Sequence, residues 1–204
     1  TTTGQGAFKN CKNLKKVVFN SNLEEVNTQT FYGCTSLKEV ELPESTRIIG
    51  YQAFACSGLE SIEIPDNVVV LHGESFRGCE NLKSVKLPAN LIKSDDGESH
   101  FADCTNLTTV IMPQGADPVF DPWFFKNCDS LTDISFHTAS TIGQSMYQGC
   151  DGLTNLTIPQ GVREIGANAF SGCLNLSYVT VPETVTAIGE QAFALTKLTT
   201  ITIP

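Results

Sequence analysis

Eight cysteines recur at one interval along this chain, and that interval constrains the fold more than any other feature. Cys11, Cys34, Cys56, Cys79, Cys104, Cys128, Cys150 and Cys173 lie 22–25 residues apart, and each is followed three residues later by a leucine. A ninth copy places Leu195 in the cysteine slot and Leu198 behind it. Self-similarity at such a period is the mark of a solenoid, in which one coil cannot bury its apolar face alone and stacks on the next. The 204 residues are therefore expected to form one continuous body, a single solenoid over 1–204, rather than two ordinary domains. The chain opens inside a repeat, Thr3-Gly4-Gln5-Gly6-Ala7-Phe8 matching Ile188-Gly189-Glu190-Gln191-Ala192-Phe193. Neither end carries the polar cap that a solenoid needs, so the sequence reads as a segment of a longer protein.

The most regular copy, residues 159–182, gives the rule P-x-x-V-x-x-I-G-x-x-A-F-x-x-C-x-x-L-x-x-I-x-I-P. Its closing I-x-I alternates with period two, as a short strand with one buried face does. Val40/Leu42, Ile62/Ile64, Val85/Leu87, Val110/Met112, Ile134/Phe136, Leu156/Ile158 and Val179/Val181 are inward pairs of this kind. Proline then ends the strand, because it has no N–H for the next ladder bond. Ahead of the strand, apolar residues recur every third position, which predicts tight helical turns or 3₁₀ pieces. The aromatic slot holds Phe8, Phe31, Phe54, Phe76, Phe101, Phe125, Tyr147, Phe170 and Phe193, a continuous spine if stacked in register. The predicted fold is an α/β repeat solenoid, a right-handed superhelix of nine coils. Each coil contributes one short parallel strand, with helical turns or 3₁₀ pieces opposite the sheet.

The thiols are expected to be free and buried. Like positions on neighbouring coils sit about 4.8 Å apart and point the same way, whereas a disulfide needs Cβ atoms about 3.5–4.5 Å apart on converging vectors. Zinc wants four converging ligands and close-spaced cysteine pairs, which are absent. A buried column of small apolar side chains fits instead.

The order Phe-xx-Cys-xx-Leu-xx-Ile-x-Ile-Pro followed by Val-xx-Ile-Gly-xx-Ala-Phe resembles the BspA-like leucine-rich repeat family, from Gly4 to Pro204. The resemblance implies bacterial cell-surface or secreted proteins, some of them adhesins for extracellular-matrix proteins such as fibronectin and fibrinogen. It implies no catalytic residue. Copies five and six depart from the pattern: residues 88–101 run long, with Asp96 replacing an isoleucine, and residues 113–125 carry Pro118, Pro122 and Trp123. Trp123 is assigned to the core of its coil.

Composition narrows the function. The formal net charge of −9, with no basic stripe in either half, argues against a nucleic-acid partner. No apolar run is long enough for a membrane span. His72, His100 and His137 stand in three different columns and are not expected to meet. Gly143-Gln144-Ser145-Met146-Tyr147 misses the nucleophile elbow at its fifth position, and no phosphate loop is present. Neither catalysis, nor a cofactor, nor a metal is expected. Asp95, Asp96, Glu98, His100 and Asp103, near Asp121, could be imagined around calcium, but a solvated turn accounts for them. Asn106-Leu107-Thr108, Asn155-Leu156-Thr157 and Asn175-Leu176-Ser177 match the glycosylation pattern, as a by-product of asparagine beside the repeat leucine.

Binding is placed on the outward residues of the sheet, the expected concave face. Lys16, Val18, Glu39, Glu41, Glu63, Lys86, Ile111 and Tyr178 are the candidate contacts, since apolar and aromatic anchors dominate interfaces. The expected function is a non-catalytic module of a secreted or cell-surface adhesin that binds a protein of the host or its matrix. The alternatives are a spacer projecting another domain, or the repeat region of an enzyme whose catalytic domain lies elsewhere.

Overall fold

In the computed structural model, which describes residues 1–19, 22–89, 91–92, 98–112, 120–135 and 139–204, the chain is a parallel solenoid of very short strands. In chain order these are β1 (Lys16–Val17), β2 (Glu25–Val26), β3 (Glu39–Val40), β4 (Ile48–Ile49), β5 (Ser61–Glu63), β6 (Val70–Leu71), β7 (Ser84–Lys86), β8 (Thr109–Ile111), β9 (Thr141–Ile142), β10 (Asn155–Thr157), β11 (Glu164–Ile165), β12 (Tyr178–Thr180) and β13 (Ala187–Ile188). They form two columns rather than one. The I-x-I segments give the first column, β1–β3, β5–β7–β8 and β10–β12. The Val-xx-Ile-Gly segments give a second, β2–β4–β6 and β9–β11–β13, which the sequence did not announce. A two-residue strand is too short to display alternation, and its glycine reads as a break. That glycine is a packing requirement: a Cβ on Gly166 would lie 2.9 Å from backbone atoms of Gly143 and Gln144.

The expected helical pieces are not there, since no described residue is helical. Apolar spacing of three arises from consecutive turns. In each arc the N–H groups alternate between two kinds of partner. Ala53, Ala55 and Ser57 donate three residues back within their own coil, to Gly50, Gln52 and Phe54. Gln52, Phe54 and Cys56 donate across to the carbonyls of Gly73, Ser75 and Arg77 on the next. A helix would use every N–H internally; here half of them stitch coil to coil. The geometry needs two left-handed residues per arc, four positions apart, such as Ser145 and Gly149 (φ 52° and 73°) or Asn168 and Gly172 (57° and 73°).

Nine equal coils are not confirmed either; the regular solenoid has about seven turns. Seven strands occupy the first column. The sixth copy contributes none around Ile134, and the ninth only an isolated bridge, Thr180 to Thr202. Copies are numbered below by their aromatic residue, from Phe8 to Phe193.

The interior follows the expected columns. Phe31, Phe54, Phe76, Phe101, Phe125, Tyr147 and Phe170 are fully buried. Successive rings from Phe8 to Phe193 stack at centroid distances of 4.9–5.9 Å, the widest being Phe101 to Phe125. Each stacked pair adds about 0.5–1.5 kcal/mol beyond burial.

The cysteine column needs correction in three places. Six thiols, those of Cys34, Cys79, Cys104, Cys128, Cys150 and Cys173, are buried, but Cys11 and Cys56 are exposed. Cys11 lies in the first of the copies described. Cys56 lies two residues after its phenylalanine rather than three. It therefore takes the left-handed slot (φ 54°) that Gly33 and Gly78 hold elsewhere, and Ser57 fills the inward slot, 3.3 Å from the Cys79 sulfur. Leu195 makes the same shift: it is left-handed (φ 59°) and 77% exposed, so it is not in the cysteine slot. Thr196 is.

Each buried thiol donates to the carbonyl of the aromatic residue one copy earlier, Cys34 to Phe8, Cys104 to Phe76 and Cys173 to Tyr147, at 3.1–3.3 Å. Those carbonyls already accept a backbone N–H from their own arc. A small apolar side chain with one weak donor suits this slot. Burial pushes the thiol pKa values up, to about 11 for Cys79 and about 12 for Cys173. A thiol reagent should therefore label Cys11 and Cys56 rapidly in the native protein, and the other six only on unfolding. Mass spectrometry of the labelled protein reads this directly; fast labelling of Cys104 or Cys128 would contradict the packing.

Among the described residues two buried side-chain polar atoms have no partner, Asp121 Oδ1 and the hydroxyl oxygen of Thr46. Thr46 occupies the slot held by Val68, Val162 and Val185, its side chain fully buried and its hydroxyl oxygen without a hydrogen bond. Thr46→Val keeps the shape and removes the orphan, so it should stabilise the protein by about 1 kcal/mol or more. Urea unfolding of the two proteins measures the difference; a destabilised variant would show that the hydroxyl is satisfied in solution.

Candidate binding face

The first strand column presents its outward residues to solvent, and the period of two decides which these are. In β5, β8, β10 and β12 the middle residue is buried and the two flanking ones are exposed. Every residue proposed from sequence as a contact lies on this face. Lys16, Val18, Glu39, Glu41, Glu63, Ile111 and Tyr178 are exposed, and Lys86 is half-buried. Val18, Ile111 and Tyr178 are 64%, 50% and 58% exposed, large values for apolar side chains.

Register groups these residues. Lys16 sits beside Glu39, Glu63 beside Lys86, and Lys86 beside Ile111. A shallow groove of about 440 Å³ runs between Glu39, Glu41 and Glu44 on one side and Ser61, Glu63 and Lys86 on the other. A smaller one of about 170 Å³ adjoins it at Lys16, Val18 and Glu41. The strands flanking the larger groove, β3 and β5, belong to separate sheets. Tyr178 is not brought to this group. It pairs with Asn155, beyond the sixth copy, where the column is interrupted.

The opposite arc carries a larger concavity that sequence reasoning missed. It measures about 800 Å³ and is lined by Tyr32, Gln52, Cys56, Glu74, Arg77 and Asp103, among others. Cys56 lines it because the one-residue shortening turns that side chain outward; the readable signal was the gap of two, not three, between Phe54 and Cys56. A polar chain crosses it. Lys9 donates to Gln29 (2.9 Å), Gln29 to Gln52 (2.7 Å) and Gln52 to Glu74 (2.7 Å). Arg77 then bridges Glu74 (3.2 Å) and Asp103 (3.1 Å), and Asn127 donates to Asp103 (2.8 Å). The hydrogen bond to Asp103 holds the Arg77 pKa above its ordinary value. The charge of Cys56, ahead of burial, raises that of the Tyr32 hydroxyl. These groups satisfy one another, so the cleft resembles a surface seam more than a prepared ligand site.

The other candidates separate. Asp103 is taken up in that chain, Glu98 is exposed, and Asp121 is buried against His100; Asp95 and Asp96 lie outside the described residues. Among the described residues no group of three or more His, Cys, Asp or Glu side chains is arranged to hold a metal. The His72 carbonyl lies 3.1 Å from the His100 ring, a meeting the column assignment did not foresee, while His137 lies outside the described residues. Trp123 is half-buried at the rim of a small cleft with Arg77, Glu98 and Lys126, not in the core. The amides of Asn106 and Asn175 donate to backbone carbonyls of the preceding copy, Glu80 and Asp151. That structural use accounts for both asparagines. No helix among the described residues is long and apolar enough to cross a membrane.

Comparison with known proteins agrees with this architecture. Among curated proteins none matches the chain. A leucine-rich repeat protein of Eubacterium ventriosum has a similar structure, with a TM-score of 0.68 and 18% identity over 90% of this chain and 62% of that one. A leucine-rich cell-surface protein of Faecalibacterium prausnitzii has a TM-score of 0.57 and 27% identity over 95% of this chain and 60% of that one. The chain thus spans less than two thirds of either protein. The model of the BspA-type leucine-rich repeat region, in six copies, matches residues 1–121 and 119–204. With the repeat, the stacked aromatic column and this match over nearly every residue, the chain belongs to the BspA-type leucine-rich repeat family.

Proposed function

We propose that this solenoid is a non-catalytic module of a cell-surface or secreted bacterial protein, and that it binds a protein partner through the outward face of its first strand column. The observation that carries the proposal is the character of that face. Ile111 and Tyr178 are presented to solvent from strands whose other side is locked in the core, and Val18 is exposed just past β1. Large exposed apolar side chains on a preformed surface are suited to act as anchors, because little ordering is needed on binding. The similarity to a protein described as a leucine-rich cell-surface protein supports the location. Extracellular-matrix proteins such as fibronectin and fibrinogen are the partners to try first, following the family resemblance.

Surface plasmon resonance against immobilised fibronectin and fibrinogen tests this. Ile111→Asp and Tyr178→Ala should each weaken binding about tenfold, with folding unchanged because both side chains are outward. Glu190→Ala, on the turn arc, should leave affinity as it is. Equal affinity of all three variants would move the binding surface off the strand column. No binding of the unaltered chain to either protein would remove these partners.

A further inference from the structure

Along the first strand column the backbone ladder parts between the second and third copies. β1 pairs with β3 and β5 with β7, but β3 and β5 belong to separate sheets. Just ahead of these strands the two copies are still joined, Glu60 donating to the Lys38 carbonyl at 2.9 Å. The groove of about 440 Å³ lies over this parting, and the one of about 170 Å³ beside Val18 adjoins it at Glu39 and Glu41. Val40, Leu42, Ile62 and Ile64, all buried, form an apolar floor.

The walls are charged, and mostly with one sign. Glu39, Glu41, Glu44 and Glu63 line the groove against a single ammonium, that of Lys86. All four carboxylates belong to exposed residues, and none is in an ion pair among the described residues. By contrast Glu60 meets Lys38 at 2.8 Å, and Glu74 and Asp103 meet Arg77 at 3.2 and 3.1 Å. Glu41 and Glu63 hold the same slot on successive copies, a placing in which like charges repel. The free face therefore carries an electrostatic cost that a cationic partner relieves.

The form of that cation follows from the spacing. Among the described residues no group of three or more His, Cys, Asp or Glu side chains is arranged around one point to hold a metal. The complement is a ligand whose positive charges are spread along a chain. Glu39 and Glu41 stand two residues apart on one strand, about 6.6–6.8 Å along it. Alternate side chains of an extended peptide repeat at the same distance, so a peptide laid along the groove brings its same-side cations into step with them. Lysine and arginine also suit the floor, because their methylene stems cover apolar surface while the charged ends stay in water. Lys15, Lys38 and Lys83 stand one slot ahead of the outward residues, and Lys38 is held by Glu60. Their charge keeps a cationic ligand toward Glu41, Glu44 and Glu63. Taking the first strand column as the protein-binding face, we infer that this groove receives an extended basic segment of the partner, with lysine or arginine at alternate positions, laid along β3 and β5.

Fluorescence anisotropy at low ionic strength tests this with a labelled octapeptide that alternates lysine with threonine. The same peptide with glutamine in place of lysine should bind at least about tenfold more weakly. Glu41→Gln combined with Glu63→Gln keeps the shape of the wall and removes two charges, and should weaken the lysine peptide about tenfold or more. Glu164→Gln combined with Glu190→Gln removes the same charge from exposed positions outside the groove, and should leave affinity within about twofold. Equal loss in the two double variants would reduce the effect to net charge and overturn the inference. A lysine peptide that binds no better than the glutamine one, or whose binding survives the loss of Glu41 and Glu63, would overturn it too.

Urea unfolding gives a readout that needs no ligand. With the repulsion relieved, the Glu41 and Glu63 variant should be at least as stable as the unaltered chain; a clearly less stable one would show that these carboxylates are already held within the fold, against the inference. The result is separable from that for fibronectin and fibrinogen. Peptide binding without capture of either protein supports the groove and removes those partners. Capture through Ile111 and Tyr178 without peptide binding supports the face and removes the groove.

Discussion

Everything regular in this molecule depends on the half of the arc's N–H groups that have no partner within their own coil. Gln52, Phe54 and Cys56 find theirs only on the next copy, as do their counterparts along the stack. A buried N–H left unpaired costs about 1–3 kcal/mol, so successive copies must lie in strict register. Register then dictates the rest. Rings fall over rings, and each thiol falls over the carbonyl of the aromatic before it. Left-handed residues recur at fixed places because only that backbone turns alternate N–H groups outward along the axis. The hydrophobic columns fill a frame whose spacing the backbone sets.

This explains which parts of the fold were legible from sequence. The columns that face inward repeat because each is pinned between two copies, and they announced the solenoid, its parallel strands and its aromatic spine. The cysteine beat was a less faithful guide than the aromatic one. Cys56 kept its distance from Leu59 while losing one residue after Phe54, so counting by sulfur hid the shift that counting by ring reveals. Leu195 misled in the same way. The spacing of three suggested helical pieces because turn bonds do run three residues back, but only from every second residue. The second strand column was hidden by its brevity, since two residues cannot show a period of two.

The face proposed to bind was legible as a position and illegible as a specificity, for a related reason. Outward residues of the first column touch no neighbour in the core, so register places them and constrains nothing about their identity. Glu39, Glu41 and Glu63 in the early copies give way to Asn155, Thr157 and Thr180 in the later ones without cost to the stack. A surface so decoupled from the frame is free to be matched to a partner, and for that reason it does not name one. The cleft at Cys56 differs: it is a by-product of the frame, and its polar lining is occupied with itself.

The irregular copies unite these points. A repeat tolerates a long insertion only where the backbone ladder can be broken, and breaking it removes N–H and carbonyl partners that every other copy relies on. Among the described residues the first strand column has no strand in the sixth copy, and nearby a slot that is alanine at 7, 53, 169 and 192 holds His100, while one that is glycine at 50, 143, 166 and 189 holds Asp121. The turn-arc ladder is unbroken there, with Phe101 donating to Phe124 and Phe125 to Met146 at 2.9 Å, and His100 and Asp121 add a side-chain contact of 3.1 Å between the fifth and sixth copies. Ile111 and Tyr178 stand on opposite sides of the sixth copy, so a partner that engaged both would have to span it, whereas one confined to the groove between Glu41 and Glu63 would not.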